Sequence, residues 1–162
     1  MDTTFERKYK DKEGTVEWFT PPEITQSLGY FDLDPCTRTD APFSHAKNIF
    51  TLQDNGLNQI WEGRVWCNPP YGAKETPKWL EKLSEHGDGV ALIFARTETK
   101  MFFNYIWERA DAVMFIKGRV KFYTPEGKQG QPAGAPSCLV AYGSKNVMSL
   151  ENSNIKGKII YL

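Results

Sequence analysis

A chain of 162 residues has the length of a single domain and can enclose a real core. Its five tryptophans and ten phenylalanines exclude a disordered polymer. A formal net charge of zero argues against a dedicated electrostatic DNA binder, though not against an enzyme with a local basic face. The cysteines, Cys36, Cys67 and Cys138, lack zinc-ligand spacing, and no apolar run is long enough to span a bilayer. The expectation is a cytoplasmic protein with free thiols.

Residues 1–16 are polar and mix both charges, which reads as a flexible lead-in to a single domain over residues 17–162. In Trp18-Phe19-Thr20-Pro21-Pro22-Glu23, Thr20 and Glu23 have capping-box spacing, and Pro21 suits the first helical position. A short helix should run from Pro21 to Leu28 and end at Gly29. Its free amides would suit a carboxylate. Alternatively, the capping is ordinary and Trp18 and Phe19 belong to the core. Tyr30 to Pro35 alternates apolar and acidic residues, then stops at a proline. It reads as a strand that delivers Asp34 to the carboxyl edge of a sheet, where ligands sit in open α/β folds.

Residues 36–62 look loop-rich, with a short strand near Asn48-Ile49-Phe50. Fewer than about 30 residues separate Pro35 from Val65, too few for two full strand-helix units, so this half of the sheet must be abbreviated. Asp54 precedes Asn55-Gly56-Leu57 and can simply form a turn. His45, alone in a polar loop, reads as structural or solvent-exposed.

Val65-Trp66-Cys67-Asn68-Pro69-Pro70-Tyr71-Gly72 is the most informative stretch. A buried strand is stopped by two prolines, which cannot donate to a sheet ladder. Asn68 is pushed toward an extended conformation by the proline that follows it. The corner can offer two acceptors, the Asn68 side-chain oxygen and the Pro69 carbonyl, to the hydrogens of a planar amine. Tyr71 can lie on the face of the ring that carries that amine. The plainer alternative is a proline turn with Tyr71 in the core; the strand context favours the amine site.

Thr76-Pro77 should start a helix that carries Trp79, Leu80 and Leu83 on one face and ends at His86-Gly87. Gly89 to Ala95 is a continuous apolar run, as in a central parallel strand. It feeds Arg96, which can meet a phosphate or a carboxylate, while Thr97 or Thr99 can cap the next helix, Lys100 to Ala110. Ala112 to Ile116 is a strand, and Gly118 to Tyr123 alternates like its antiparallel or edge partner. Arg119, Lys121 and Phe122 fall in a basic and aromatic cluster that suits a nucleic-acid backbone plus a base; a solvated edge strand is the alternative. Residues 124–136 form a long loop, Ser137 to Tyr142 a core strand, and the remainder a polar tail in which Ile159-Ile160-Tyr161 can add a strand.

These stretches, taken in order, resemble the amino-methyltransferases that use S-adenosylmethionine, and more closely the small phage-type DNA N6-adenine methyltransferases of the Dam group. The matching residues are Glu17 to Ile24, Phe31 to Pro35, Asp54 to Leu57, Gly63 to Tyr71, Arg96 to Thr99, Gly118 to Phe122 and Pro136-Ser137. Cys36 to Asp40 stands where many methyltransferases carry a Gly-x-Gly loop. The resemblance implies an α/β fold: an abbreviated Rossmann-like methyltransferase sheet, mostly parallel with an antiparallel C-terminal hairpin, flanked by helices. It implies S-adenosylmethionine as cofactor, contacted by Trp18, Thr20, Pro21, Asp34, Pro35, Asp54 and Asn68. Asn68, Pro69, Pro70 and Tyr71 would be catalytic. Tyr71, Arg96, Arg119, Lys121 and Phe122 would contact double-stranded DNA. No metal is implied. Cytosine-N4 methylation asks for the same corner, and a catalytically weak DNA- or partner-binding relative is the non-enzymatic alternative.

Overall fold

A computed structural model describes residues 19–162, so the lead-in and Trp18 lie outside the described residues. The strands are β1 (Leu33–Asp34), β2 (Asn48–Ile49), β3 (Val65–Cys67), β4 (Gly89–Phe94), β5 (Ala112–Ile116), β6 (Ser137–Tyr142) and β7 (Gly157–Tyr161). They form one sheet in the order β2-β1-β3-β4-β6-β5-β7. The β2-β1-β3-β4 half is parallel. Beyond it, β6 is antiparallel to both β4 and β5, and β7 is antiparallel to β5. The helices are α1 (Pro22–Leu28), α2 (Thr76–His86), α3 (Lys100–Phe102) and α4 (Ser144–Glu151).

Strand alternation divides the core between the two faces of the sheet. Trp66, Val90, Leu92, Phe94, Met114, Leu139 and Ala141 turn toward α1 and α4, whose Ile24, Leu28 and Leu150 meet them. Val65, Cys67, Ala91, Ile93, Val113, Cys138 and Val140 turn the other way, toward Trp79, Leu80 and Leu83 of α2 and Phe102 of α3. The central strands β3, β4 and β6 are buried along their whole length, which explains their largely apolar sequences.

Between β1 and β3 the chain holds only the two residues of β2 and a 3₁₀ turn, Gly56–Asn58, with no α-helix. That turn docks directly on the end of β1. A Cβ on Gly56 would meet the Pro35 carbonyl oxygen at 2.0 Å, so only glycine allows the approach. Asn55, with φ 51°, takes the left-handed conformation that leads into it.

Gly118–Tyr123 is not the partner of β5. Both edges of β5 are already filled, by β6 and β7. The stretch instead bonds the loop that follows it: the Gly130 amide donates to the Phe122 carbonyl at 2.7 Å and the Ala133 amide to Val120 at 2.9 Å. Tyr123 exchanges backbone bonds with Phe19. This excursion buries Val120 and Phe122 against the α1 face. The expected helix from Lys100 to Ala110 is one α turn, capped by Thr99, followed by a π-helical turn over Phe103–Trp107. The tail beyond Gly143 is also more ordered than its polarity suggests, containing both α4 and β7.

Arg64 ties the amino-terminal edge of the sheet together. Its guanidinium donates to the Leu28 carbonyl at 2.8 Å, the Tyr30 carbonyl at 3.0 Å, Asn146 Oδ1 at 2.6 Å and Ser149 Oγ at 2.8 Å. It also lies 4.1 Å from the centre of the Phe31 ring. Arg64→Ala leaves several acceptors without their donor and should lower stability by about 2–4 kcal/mol. Urea unfolding measures this, and a loss below about 1 kcal/mol would contradict the assignment.

Candidate active site

The carboxyl ends of β1 and β3 meet the chain entering α1 around a cavity of about 240 Å³. Thr20, Asp34, Asn68, Pro69, Pro70 and Tyr71 all line it, which brings together residues spread over three segments. Pro21 and Pro35 are buried in the backbone that carries Thr20 and Asp34.

Asn68 is placed by strand parity. Trp66 faces α1, and two residues further on so does Asn68. The Asn68 side-chain nitrogen donates to Thr20 Oγ1 at 3.2 Å. That contact holds the amide against the chain entering α1. Its oxygen Oδ1 accepts from the Tyr71 hydroxyl at 3.4 Å. Thr76 closes the corner from below: its hydroxyl donates to the Pro70 carbonyl at 2.7 Å and accepts from the Gly72 amide at 3.2 Å.

Thr20 therefore does not cap α1, although its spacing to Glu23 suggested it. Pro21 is the N-cap and makes no side-chain bond. The double proline also removes donors from the first turn, and the Ile24 amide is bonded to the Pro21 carbonyl at 3.0 Å. The helix start is a poor cradle for a carboxylate, against expectation.

The Tyr71 ring stacks on Phe94, with centroids 4.6 Å apart and planes 15° apart. Phe122 meets both rings edge-on, at 6.4 Å from each. Phe122 is fully buried, so in this arrangement it backs the Tyr71–Phe94 pair rather than facing the cavity. Burial raises the Tyr71 phenol above its ordinary pKa, so it stays protonated at any working pH.

Asp34 is 5% exposed and takes one backbone bond, from the Cys36 amide at 3.3 Å. Burial pushes its pKa up to about 7, against the modest lowering by the Cys36 amide. Among the described residues the carboxylate has no cationic side chain beside it, so it suits a cation brought by a ligand. Cys36 bridges the two strand ends: its thiol donates to the Asn68 carbonyl at 3.4 Å and lies 3.9 Å from the Cys67 sulfur. The contact with Cys67 and burial both raise the Cys36 pKa, so the thiol stays protonated.

Asp54 does not line the cavity. Its carboxylate accepts from the Thr51 amide at 2.7 Å and hydroxyl at 2.9 Å, which is turn formation. Leu52, in the same turn, lines the cavity and is 83% exposed, so it forms a lip. Arg96 sits just past β4 with its guanidinium 5.9 Å from the Phe94 ring centre. Arg119 donates to the Ala133 carbonyl at 3.1 Å, and Lys121 is exposed.

Several lining residues were missed in the sequence, among them Arg38, Leu52, Trp66 and His45. Trp66 was findable, since it shares a strand face with Asn68, and its indole nitrogen is buried with no hydrogen-bond partner among the described residues. His45 carried no signal. It is half-buried rather than exposed and lines the cavity, with Nδ1 2.7 Å from the Thr25 hydroxyl and Nε2 buried without a partner among the described residues. Burial lowers its pKa to about 4 and holds the ring neutral. A buried carboxylate without a counter-charge and two orphaned ring nitrogens fit a ligand that carries both a cation and polar acceptors.

Cys36, Cys67 and Cys138 are free. Among the described residues no helix is long and apolar enough to cross a membrane, and no cluster of metal-ligating side chains occurs. The family model described as DNA N-6-adenine-methyltransferase (Dam) matches residues 6–158. Comparisons with curated proteins and with solved structures find no match.

Proposed function

Because the chain belongs to the DNA N-6-adenine-methyltransferase (Dam) family, and so methylates adenine in DNA, we propose that its cavity takes S-adenosylmethionine and that the target adenine is flipped onto Tyr71. The observation that carries this reading is the meeting of Asn68, Tyr71 and Asp34 around one cavity at the carboxyl edge of the sheet. We read the sheet as an abbreviated Rossmann-like methyltransferase fold and residues 17–162 as one catalytic domain. S-adenosylmethionine, when bound, supplies an electrophilic methyl group on a sulfonium.

The protein's part is to make a poor nucleophile reactive. The lone pair of an aromatic amine is delocalised into its ring. Asn68 Oδ1 and the Pro69 carbonyl accept the two amine hydrogens and draw the nitrogen toward tetrahedral geometry. Orientation and these two bonds supply the rate. No general base is needed before attack, because the nitrogen becomes acidic only as it gains the methyl. His45, with a pKa of about 4, would be a weak base in any case.

Flipping costs roughly a few kcal/mol, and stacking on an aromatic ring returns about 1–3 kcal/mol per base. The target amine must also displace the Tyr71 hydroxyl from Asn68 Oδ1. Two variants separate the ring from the hydroxyl. Tyr71→Phe keeps the stack and frees the acceptor, so its single-turnover rate on DNA should stay near wild type. Tyr71→Ala should slow that rate by about 5–150-fold while S-adenosylhomocysteine still binds in calorimetry. Equal rates for Tyr71→Ala and wild type would remove the stacking claim. Failure of the wild-type protein to bind S-adenosylhomocysteine would remove the cofactor assignment.

A further inference from the structure

We infer that His45 is a cofactor-positioning residue whose Nε2 accepts a hydrogen bond from the ammonium at the amino-acid end of the methyl donor. The inference rests on the cofactor assignment proposed above and extends it to a side chain outside every motif.

Three observations carry it. His45 lines the same cavity as Asp34, Thr20 and Asn68. Its ring is fixed from behind, with Nδ1 2.7 Å from the Thr25 hydroxyl, while that hydroxyl sits 3.3 Å from the Pro22 carbonyl. Both contacts are made at once only if Thr25 donates to Pro22 and accepts from Nδ1–H. That arrangement sets the tautomer: Nδ1 carries the proton, and Nε2 is left with a lone pair. Nε2 is also buried and has no partner among the described residues, a cost that a ligand donor would recover.

An acceptor lining the same cavity as a buried carboxylate selects a cationic donor. The amino-acid end of the methyl donor carries an ammonium with three N–H groups. One can meet Asp34, leaving others for a neutral acceptor. A charged histidine would repel that group, and burial prevents its forming at neutral pH. The loop between β1 and β2 has no helix, and it is this shortened connection that brings His45 against Thr25 of α1 and within 6.2 Å of the Trp66 ring centre.

The test is a ligand-truncation cycle read by calorimetry on the full chain. S-adenosylhomocysteine carries the amino-acid end, and 5′-methylthioadenosine lacks it. H45A should weaken S-adenosylhomocysteine binding by about tenfold or more and leave 5′-methylthioadenosine binding unchanged. H45Q can place its side-chain oxygen where Nε2 was and should restore most of the affinity, whereas H45N, which reaches only the Nδ1 position, should not. Nitrogen-15 spectra of labelled histidine should show an unprotonated Nε2 in the free protein that shifts when S-adenosylhomocysteine is added. Equal losses for both ligands would mean a general packing role and overturn the inference, as would no loss for either. If H45A does not fold, the contrast between H45Q and H45N decides: equal affinities overturn it. Wild-type protein that binds neither ligand would instead sink the cofactor assignment itself.

Discussion

Asn68→Ala should lose most turnover, by about 10²–10³-fold, while S-adenosylhomocysteine binding survives. The expected loss is large because the alanine removes an acceptor that works hardest as the amine nitrogen turns tetrahedral. Binding should survive because the cavity keeps Asp34, Trp66 and the proline corner, which do not depend on the amide. Alanine also removes the bond to Thr20, so some loosening near α1 is expected and should appear as a small fall in melting temperature. Rapid-quench single-turnover assays separate the chemical step from product release. Near-normal single-turnover rates for Asn68→Ala would contradict the role given to its amide.

Asp34→Asn should have two effects of opposite sign. The first is loss of cofactor binding, because the amide cannot pair with the ammonium. The second is greater stability of the unliganded protein at high pH. Burial raises the Asp34 pKa from 3.8 to about 7, so between those values the folded state holds a proton that the unfolded state has lost. Stability from this group is therefore present at pH 4 and declines as pH rises toward 7. The full penalty, on the order of 4 kcal/mol, applies above that. Asparagine carries no such penalty. Unliganded Asp34→Asn should melt higher than wild type at pH 8 and close to it at pH 4. S-adenosylhomocysteine should stabilise wild type more at pH 8 than at pH 5 and should leave the variant unmoved. Equal melting temperatures at pH 8, or a variant that still binds, would contradict the picture of Asp34 as a buried carboxylate awaiting a cation.

The parts of this protein legible in the sequence were those with short-range causes. The stop after Cys67 follows from prolines, the buried strands from unbroken apolar runs, and Asp34 at a strand end from the proline after it. Other features depend on competition between distant segments. Thr20 fits a capping box locally, but Asn68 comes within reach of its hydroxyl only after folding. Gly118–Tyr123 has the alternation of a strand, yet β6 and β7 occupy both edges of β5 first. His45 reads from the sequence as structural or solvent-exposed because nothing nearby in the chain reveals Thr25 and Trp66 as its neighbours. The requirement for glycine at position 56 likewise becomes visible only when the Pro35 carbonyl is seen against it.

The most direct test of the central claim is transfer of tritium from methyl-labelled S-adenosylmethionine to unmethylated double-stranded DNA, followed by digestion to nucleosides and chromatography. The account predicts label in N6-methyladenine, accumulating about 10²–10³-fold more slowly after Asn68→Ala. Label in N4-methylcytosine, or none in DNA although the labelled cofactor binds, would contradict it.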